Sequence, residues 1–458
     1  MKSKSRKADA LKQSPKHAKR HPLYWTAAVA CAIIFFATAF STLDVYLKAA
    51  GCAAALILCG KALERAGGFT GGYGIVVIKG RNGFNLMKLL AQKYRRQAIA
   101  LSELGLTLFF GVLYGWRLYK KQPLKLAVHA ALLLFFAWAF QMTAAGYADL
   151  TPVFYCVSVL FGLATTFFII IALNAFSITT NFAQAAPGAM PAIPGVTLPV
   201  EAIVSIIVLM VAHELAHGIL FFIEKLRVKS SGVILLGFIP VGAFVEQDEK
   251  EFNKAPIDKK RKVLVAGSTA NFLAAFVFAL ISIPLAFAYA GASGGVFVHS
   301  TAENSSAAGI IPENSTITAL NGKPIASTMD LGNELQKLGA GDTAFIQTLD
   351  GKNYSVVLKE KGRLGVVVSN AARKGQEFLH GLLALLFSIA NLTALLNLMI
   401  ALFNMMPLFI TDGHLIIKYE LQKAFGPRRE WEAKLVARAI GIIFLAILLV
   451  NFLPWLKG

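Results

Sequence analysis

Long apolar segments recur along most of the chain, and they restrict its possible folds more than any other feature. Of 458 residues, 56% are hydrophobic and 15% are charged, which is too apolar for a soluble protein of this length. A helix of about 20 apolar residues crosses the hydrocarbon core of a bilayer. Candidate spans are residues 25–41, 45–63, 98–118, 125–146, 153–174, 200–223, 263–291, 382–407 and 438–456. We predict a polytopic α-helical membrane protein with about eight to nine transmembrane helices.

The first apolar segment is preceded by a strongly basic stretch. Residues 1–22 contain many Lys and Arg residues and a single acidic one, Asp9. By the positive-inside rule this stretch is a cytosolic arm, so the N-terminus lies in the cytosol. A cleavable signal peptide is the alternative, because Ala37-Thr38-Ala39 imitates a cleavage site. The arm is long for a signal peptide, so we favour a retained span in a multi-pass protein, which belongs in the cell membrane if the source is prokaryotic.

Counting spans from a cytosolic N-terminus places the C-terminal end of the 200–223 helix in the cytosol. Lys225, Arg227 and Lys229 follow that helix and agree with the count. The basic loop at residues 117–125 disagrees, because the same count turns it outward. Either the hairpin-like segment from Gly67 to Phe84 dips into the membrane or one early span is assigned wrongly. The sequence leaves both explanations open.

A net charge of +20 is also typical of proteins that bind nucleic acids. The basic residues, however, lie in short loops beside apolar spans, where membrane orientation and anionic lipid headgroups explain them. The sequence therefore predicts the lipid bilayer, and no nucleic acid, as the partner of these charges.

An H-E-x-x-H pattern, His213-Glu214-Leu215-Ala216-His217, lies inside the apolar segment 200–223. Residues four apart lie on one helix face, so both imidazoles can bind one metal ion while Glu214 acts beside them as a general base. Ionisable groups within a span are costly and need partners. The alternative is a buried histidine pair hydrogen-bonded to its neighbours. The apolar context favours the metal site.

Asp412 is the best candidate for a third ligand, because a catalytic zinc site usually takes three from the protein. It follows Pro407, which interrupts an apolar segment, and a carboxylate at the edge of a span again needs a partner. His414 is a competing ligand or a supporting residue, and it ranks below Asp412.

Together these motifs resemble the site-2 protease family of intramembrane zinc metalloproteases. The family pairs H-E-x-x-H on one transmembrane helix with N-x-x-P-x-x-x-x-D-G on a later one. The second motif is matched by Asn404, Pro407, Asp412 and Gly413. The segment from Gly267 to Asn271 looks like the family's G-x-x-x-N on the intervening helix. The resemblance covers roughly residues 200–430, with the motifs in the family's order.

The resemblance implies a chemistry for the site. A Zn²⁺ ion would be held by His213, His217 and Asp412. Glu214 would be the catalytic base, and Asn271 would bind the substrate backbone or the developing oxyanion. A helix-packing role for Asn271 is the alternative. Asn404 and Pro407 would shape the helix break that aims the carboxylate at the metal.

The motifs also divide the chain. We assign residues 23–175 to an N-terminal transmembrane region outside the resemblance, 200–292 to a protease core, and 380–458 to a C-terminal transmembrane region. Two positions depart from the family pattern, because Thr411 replaces the usual Leu and His414 replaces a common Gly.

Residues 295–370 are much less hydrophobic and consist of short strand-like pieces, turns and one helical stretch near 329–338. The segment from Ser305 to Ile325 looks like part of a PDZ domain, which several site-2 proteases carry at this position. The resemblance implies an inserted, small β-rich PDZ-like domain outside the cytosol that binds peptide C-termini or extended segments by strand addition. A small β-rich domain without a ligand is the alternative.

Residues 231–245 are apolar and β-prone but too short to span a membrane. In the family the corresponding region is a re-entrant β-hairpin, which could supply an edge to an unfolded substrate. An interfacial loop that packs on the active-site helix is an equal alternative.

The sequence thus predicts an intramembrane zinc metalloendopeptidase that cleaves the transmembrane segments of single-span membrane proteins. A divalent-metal transporter would also place His and Asp in spans, but it would not need Glu214 as a base. An inactive, protease-like membrane scaffold would keep the fold, although the complete set of ligands and base argues against it.

Overall fold

The computed structural model describes residues 22–67, 69–81, 83–143, 150–182, 185 and 187–457, so the predicted basic arm lies almost entirely outside the described residues. The helices in chain order are α1 Pro22–Ala39, α2 Val45–Gly67, α3 Phe84–Lys93, α4 Arg95–Tyr119, α5 Pro123–Thr143, α6 Thr151–Phe161, α7 Leu163–Thr180, α8 Ala202–Ile223, α9 Glu249–Lys254, α10 Ile257–Gly291, α11 Thr328–Leu335, α12 Glu377–Phe403, α13 Asp412–Phe425 and α14 Glu430–Phe452. The chain forms two compact units, one of residues 1–276 and 395–458 and the other of residues 277–394.

Seven described helical segments are long and apolar enough to cross a membrane, which makes the chain an integral membrane protein in composition and length. They are Arg95–Tyr119, Pro123–Gln141, Leu163–Thr180, Ala202–Ile223, Ile257–Gly291, Glu377–Phe403 and Pro427–Trp455. The predicted count of eight to nine is not confirmed. The apolar helix at Leu23–Ala39 is shorter than these seven, and the predicted span 153–174 is divided between α6 and α7.

Helix α4 reverses direction at Gly111, which has φ 84° and ψ 173°. The hydroxyl of Tyr119 lies 3.4 Å from the carbonyl oxygen of Glu103, whereas a straight helix would separate these residues by about 24 Å. A methyl group on Gly115 would likewise meet the side chain of Thr107, at 2.9 Å. The predicted span 98–118 is therefore a helical hairpin with arms at residues 95–110 and 112–119. Although its length and composition place it among the seven segments above, it does not form one straight crossing.

Helices α6 and α7 repeat this reversal around Gly162, which has φ 91° and ψ 165°. The hydroxyls of Ser158 and Thr166, on opposite arms, are 2.7 Å apart. The two tips pack on each other: a methyl carbon on Gly111 would lie 2.2 Å from the Leu160 carbonyl oxygen, and one on Gly162 would lie 2.1 Å from that of Phe109. Glycine is required at both tips, for its backbone conformation and for this close approach.

The reversal at Gly111 resolves the disagreement between the span count and the basic loop at residues 117–125. The count that turned the loop outward treated residues 98–118 as one crossing. In the structure Arg117 donates to Glu420, and Glu420 also accepts from Arg261 in the first turns of α10. Arg117 thus lies with the basic end of α10.

A four-stranded antiparallel sheet lies in the same unit, with strand order β1-β2-β3-β4. Its strands are β1 Thr70–Gly72, β2 Ile75–Gly80, β3 Val228–Leu236 and β4 Ile239–Gln247. The hairpin of β3 and β4 covers the predicted residues 231–245 and turns at Gly237, where φ is 61°. The predicted hairpin-like segment from Gly67 to Phe84 forms β1 and β2 and adds them to the same sheet. Strand β4 is an edge strand.

The core of the first unit joins the helices that carry the motifs. Phe109 of α4 and Phe272 of α10 meet edge to face, with ring centroids 6.0 Å apart. Phe221 of α8 contacts Phe252 of α9, at 5.8 Å between centroids. Large buried aromatic rings of this kind contribute much of the apolar area removed from solvent, so these contacts join α4 to α10 and α8 to α9 within one core.

The second unit is β-rich between residues 293 and 372, in agreement with the predicted insert. Its sheet has the order β10-β5-β6-β8-β9, with β7 paired to β6. The strands are β5 Ser293–Thr301, β6 Thr316–Leu320, β7 Lys323–Pro324, β8 Thr343–Thr348, β9 Asn353–Val357 and β10 Val366–Ala372. Helix α11 confirms the predicted helical stretch and begins with a capping box of Ser327 and Asp330.

Candidate metal centre

Helix α8 presents His213 and His217 on one face, as their spacing predicts, and their Nε2 atoms are 3.1 Å apart. Asp412, the first residue of α13, brings its Oδ2 atom 3.1 Å from His217 Nε2 and 3.6 Å from His213 Nε2. These three residues form the group of His, Cys, Asp and Glu side chains that could hold a metal ion within the described part of the chain. The two predicted ligands on α8 and the third on α13, which is far away in the sequence, therefore converge.

The ligand atoms have the separations that a zinc ion requires. A tetrahedral zinc ion with bonds of about 2.0–2.1 Å separates its ligand atoms by about 3.3 Å. The observed separations, 3.1, 3.1 and 3.6 Å, lie around this value. The donor set of two imidazoles and one carboxylate also suits zinc, so the residues present fit the metal.

Gly267 of α10 lines the space between the two imidazoles. A methyl carbon at this position would lie 2.4 Å from His217 Nε2 and 2.6 Å from His213 Nε2. Such distances are too short for a carbon contact. The absence of a side chain at Gly267 therefore leaves room for an ion, a role for this glycine that the sequence did not predict.

The outer nitrogens of the two imidazoles contact groups on α10. His217 Nδ1 donates to the Val263 carbonyl oxygen at 2.8 Å, which leaves the Nε2 lone pair free for a metal. His213 Nδ1 lies 3.1 Å from the side-chain amide of Asn271. Asn271 is fully buried, and its Oδ1 atom has no hydrogen-bond partner among the described residues. The structure thus places Asn271 behind His213.

Asn404 fixes the third ligand. Its side-chain amide donates to Asp412 Oδ2 at 2.7 Å, its Oδ1 accepts from the Asp412 backbone N–H at 3.3 Å, and its carbonyl oxygen accepts from the Gly413 N–H at 2.9 Å. Helix α12 ends at Phe403, so Asn404 is the first residue of the break that contains Pro407. This geometry agrees with the predicted role of Asn404 in shaping the break.

Thr411, which departs from the family pattern, is the N-cap of α13. Its hydroxyl accepts from the backbone N–H of His414 at 3.3 Å, and it also contacts the Leu408 carbonyl oxygen at 2.7 Å. A hydroxyl at this position satisfies a free N–H group at the helix start. His414 is buried against the ring of Phe409 and is not part of the metal group found in the described residues.

Glu214 lies between the metal group and the sheet. The carboxylate of Glu214 interacts electrostatically with the three candidate ligands. It also forms a hydrogen bond with the backbone of Val245 on β4. The predicted base thus faces the metal group on one side and an edge strand on the other.

A partly buried ionic cluster fixes α13, which carries Asp412, against α4 and α10. Glu420 accepts from the Tyr114 hydroxyl at 2.7 Å, from Arg117 at 2.6 Å, and from Arg261. Burial raises the pKa of Glu420, but the hydrogen bonds from Arg261 and Tyr114 outweigh it and hold the pKa below its usual range. These residues were not predicted from the sequence, because each one alone is an ordinary charged or polar residue near a helix end.

Helices that are long and apolar enough to span a membrane surround a site of two histidines, one aspartate and one glutamate, a combination that is typical of membrane metallopeptidases. The model of peptidase family M50 matches residues 201–448, and the chain belongs to this family, the site-2 protease family of zinc metalloproteases. An uncharacterized protein of Methanocaldococcus jannaschii is 32% identical over 228 residues, which are 49% of this chain and 56% of that protein. The chain thus matches little more than half the length of this relative.

Proposed function

We propose that this protein is an intramembrane zinc metalloendopeptidase that cleaves transmembrane segments of membrane proteins. The observation that carries the proposal is the convergence of His213, His217 and Asp412 around the space left by Gly267, with Glu214 beside it. Family membership supports the same chemistry.

Each residue of the site has a role in this proposal. A zinc ion held by the three ligands would supply Lewis-acid chemistry, activating a water nucleophile and polarising the scissile carbonyl. Glu214 takes the proton of the attacking water and passes it to the leaving amine. Asn404 holds Asp412 in place: its side-chain amide donates to the carboxylate, and its two oxygens accept from the backbone N–H groups of Asp412 and Gly413.

Asn271 acts as a positioning residue in this proposal. For His213 to coordinate through Nε2, its Nδ1 atom must carry the proton, and this N–H needs an acceptor. An amide's oxygen and nitrogen are assigned from the hydrogen-bond network, and with Asn271 Oδ1 turned toward His213 the acceptor is provided. The substrate or oxyanion contact predicted from the family is the alternative role, and the complete burial of Asn271 favours positioning.

Strand β4 is the proposed docking edge for substrate. It is the last strand of its sheet, and the backbone of Val245 on this strand hydrogen-bonds to Glu214. An extended segment paired with β4 would pass beside the base and the metal group. A helical substrate must unwind before its carbonyls are open to attack, which favours single spans that unwind readily.

The second unit is a proposed peptide-binding, PDZ-like domain. Strand β10 is an edge strand, and the first turn of α11 is tied to it because the Thr328 N–H donates to Asn370 Oδ1 at 2.7 Å. An exposed edge beside a helix accepts an added peptide strand, with peptide C-termini or extended segments as ligands. We also propose a cytosolic N-terminus, since the basic ends of α8 and α10 follow the positive-inside rule.

The test is cleavage of a reporter joined to a single-span substrate, in cells that also produce this protein. Glu214→Gln should abolish cleavage while zinc remains bound, and a zinc chelator should abolish cleavage by the purified wild-type protein. Glu303→Gln, an exposed position of the second unit, is the matched control and should cleave normally.

A metal transporter or an inactive scaffold would give a different result. Either protein would bind zinc, show no cleavage over a panel of spans, and be little changed by Glu214→Gln. That outcome, with zinc content confirmed by elemental analysis, would overturn the protease proposal.

A further inference from the structure

The short helix α3 packs its inner face on the last two turns of α8. A methyl carbon on Gly218 would lie 2.4 Å from the sulfur of Met87, so the two helices touch there. One turn further along α8, the rings of Phe84 and Phe222 meet edge to face, with centroids 5.7 Å apart. Gly218 directly follows His217 in the sequence. Helix α3 therefore supports the catalytic helix near the end of a candidate membrane span.

The outer face of α3 is both apolar and basic. Successive residues of an α-helix are about 100° apart around its axis, so Leu86, Leu89 and Lys93 share one side of α3. Leu86 and Leu89 are 51% and 58% exposed, whereas Met87 and Ala91 on the other side are each 6% exposed. A helix whose outer face combines leucines with lysine lies at the boundary between lipid headgroups and acyl chains.

The segment around α3 has a strong positive charge that nothing within it balances. Residues 79–102 contain no acidic residue and six cations, all of them exposed: Lys79, Arg81, Lys88, Lys93, Arg95 and Arg96. Among the residues that the structure describes, Lys79 alone of the six forms an ion pair, with Glu246 at 3.7 Å. A cluster of four to eight such cations on an amphipathic helix is typical of binding to anionic lipid headgroups.

The place of these cations in the chain favours a bilayer over an acidic protein as their partner. One residue separates α3 from α4, which begins at Arg95 and is itself a candidate span. The cations therefore lie where the chain meets the headgroups, and an acidic protein would have to displace lipid from them and from the leucines. We propose that the outer face of α3 binds the surface of a bilayer that contains anionic phospholipids, with Leu86 and Leu89 against the acyl chains and the cations against the phosphates.

This contact links the bilayer to the metal centre. Lipid that holds the outer face of α3 also holds its inner face against Gly218 and Phe222, beside the ligand His217. The lipid contact does not depend on peptide cleavage, so it is measured directly and without an activity assay.

Photo-cross-linking of the full-length protein tests the contact. A photoreactive phenylalanine analogue replaces Leu89, and the protein is reconstituted in phosphatidylcholine with phosphatidylglycerol as the minor lipid. Mass spectrometry of the cross-linked lipid should show phosphatidylglycerol enriched about fivefold or more over its share of the bilayer, the effect of one cation near a membrane surface. The same probe at Leu280, 52% exposed within the apolar part of α10, is the matched control and should cross-link both lipids in proportion to their share.

Charge variants of the Leu89 probe protein test the role of the cations. Lys93→Gln/Arg96→Gln should bring the enrichment down toward the bulk share, and so should high salt, which screens exposed charges. Lys423→Gln/Arg428→Gln removes two exposed cations near the end of α13 and should leave the enrichment unchanged. Unchanged zinc content shows that each variant is folded.

Three outcomes would refute the proposal. The Leu89 probe could cross-link no lipid, which would mean that another part of the protein or a partner covers this face. It could cross-link both lipids in proportion to their share, in which case the basic residues serve membrane orientation alone. Finally, the enrichment could survive Lys93→Gln/Arg96→Gln, so that these cations would not be the groups that bind the phosphates.

Discussion

The substitution Gly267→Ala should eliminate zinc binding while leaving the fold intact. The added methyl carbon would lie 2.4 Å from His217 Nε2, whereas real Cβ atoms essentially never approach closer than 3.0 Å. The imidazole must therefore retreat by about 0.6 Å, three times the roughly 0.2 Å that a metal site tolerates. The methyl group also occupies the space between the ligands, so we expect at least a hundredfold loss of zinc affinity. This loss is larger than the effect of replacing a residue that hydrogen-bonds to a metal ligand.

The assay is zinc content per mole of purified protein, followed by competition with a chelator of known affinity. Gly291→Ala is the matched control, because Gly291 lies on the same helix and a methyl group there meets nothing within 4 Å. It should retain one zinc ion with unchanged affinity. If Gly267→Ala binds zinc as tightly as Gly291→Ala does, the ion does not lie in the space lined by Gly267 and the assignment of the centre is wrong.

Three further predictions follow from the structure. Asn271→Ala should weaken zinc binding about 10-fold to 100-fold, because the Nδ1 proton of His213 loses its acceptor, as competition with a chelator would measure. Gly111→Ala should lower the free energy of unfolding by more than about 2 kcal/mol in a denaturant titration, because a positive φ and a carbonyl contact both oppose a side chain. Glu420 has a depressed pKa in the folded protein, so the stabilisation it contributes is present above its ordinary pKa of 4.5 and is lost as the pH falls through the folded-state pKa. Glu420→Gln should remove this part of the pH dependence of the free energy of unfolding. An unchanged pH profile of unfolding would contradict the prediction.

The sequence pointed to three side chains that converge in the structure, because helical geometry and membrane energetics both act on short patterns. The spacing of His213 and His217 places them on one face of any helix, and the cost of a carboxylate at the edge of a span pointed to Asp412. The structure brings these three together. The complete burial of Asn271 behind His213 was not predicted, because a motif names a residue but not the direction of its side chain.

The reversals at Gly111 and Gly162 were not predicted, for a different physical reason. A helical hairpin and a straight span have the same hydrophobicity, and a glycine within an apolar segment is common in membrane helices. The reversal is visible only through contacts between the arms, such as that of Tyr119 with Glu103. The same holds for Glu420, whose three donors come from elements far away in the chain.

The insert lies between the metal ligands in the sequence, but its length has little effect on the free energy of metal binding. An ion bridging α8 and α13 is a cross-link in the polymer sense, and the β-rich insert at residues 293–372 lies within the loop that it closes. The entropy of loop closure grows only with the logarithm of loop length, so removing or replacing the insert changes that cost by less than about 1 kcal/mol. Inserts of very different size, or none, are therefore compatible with the same zinc site.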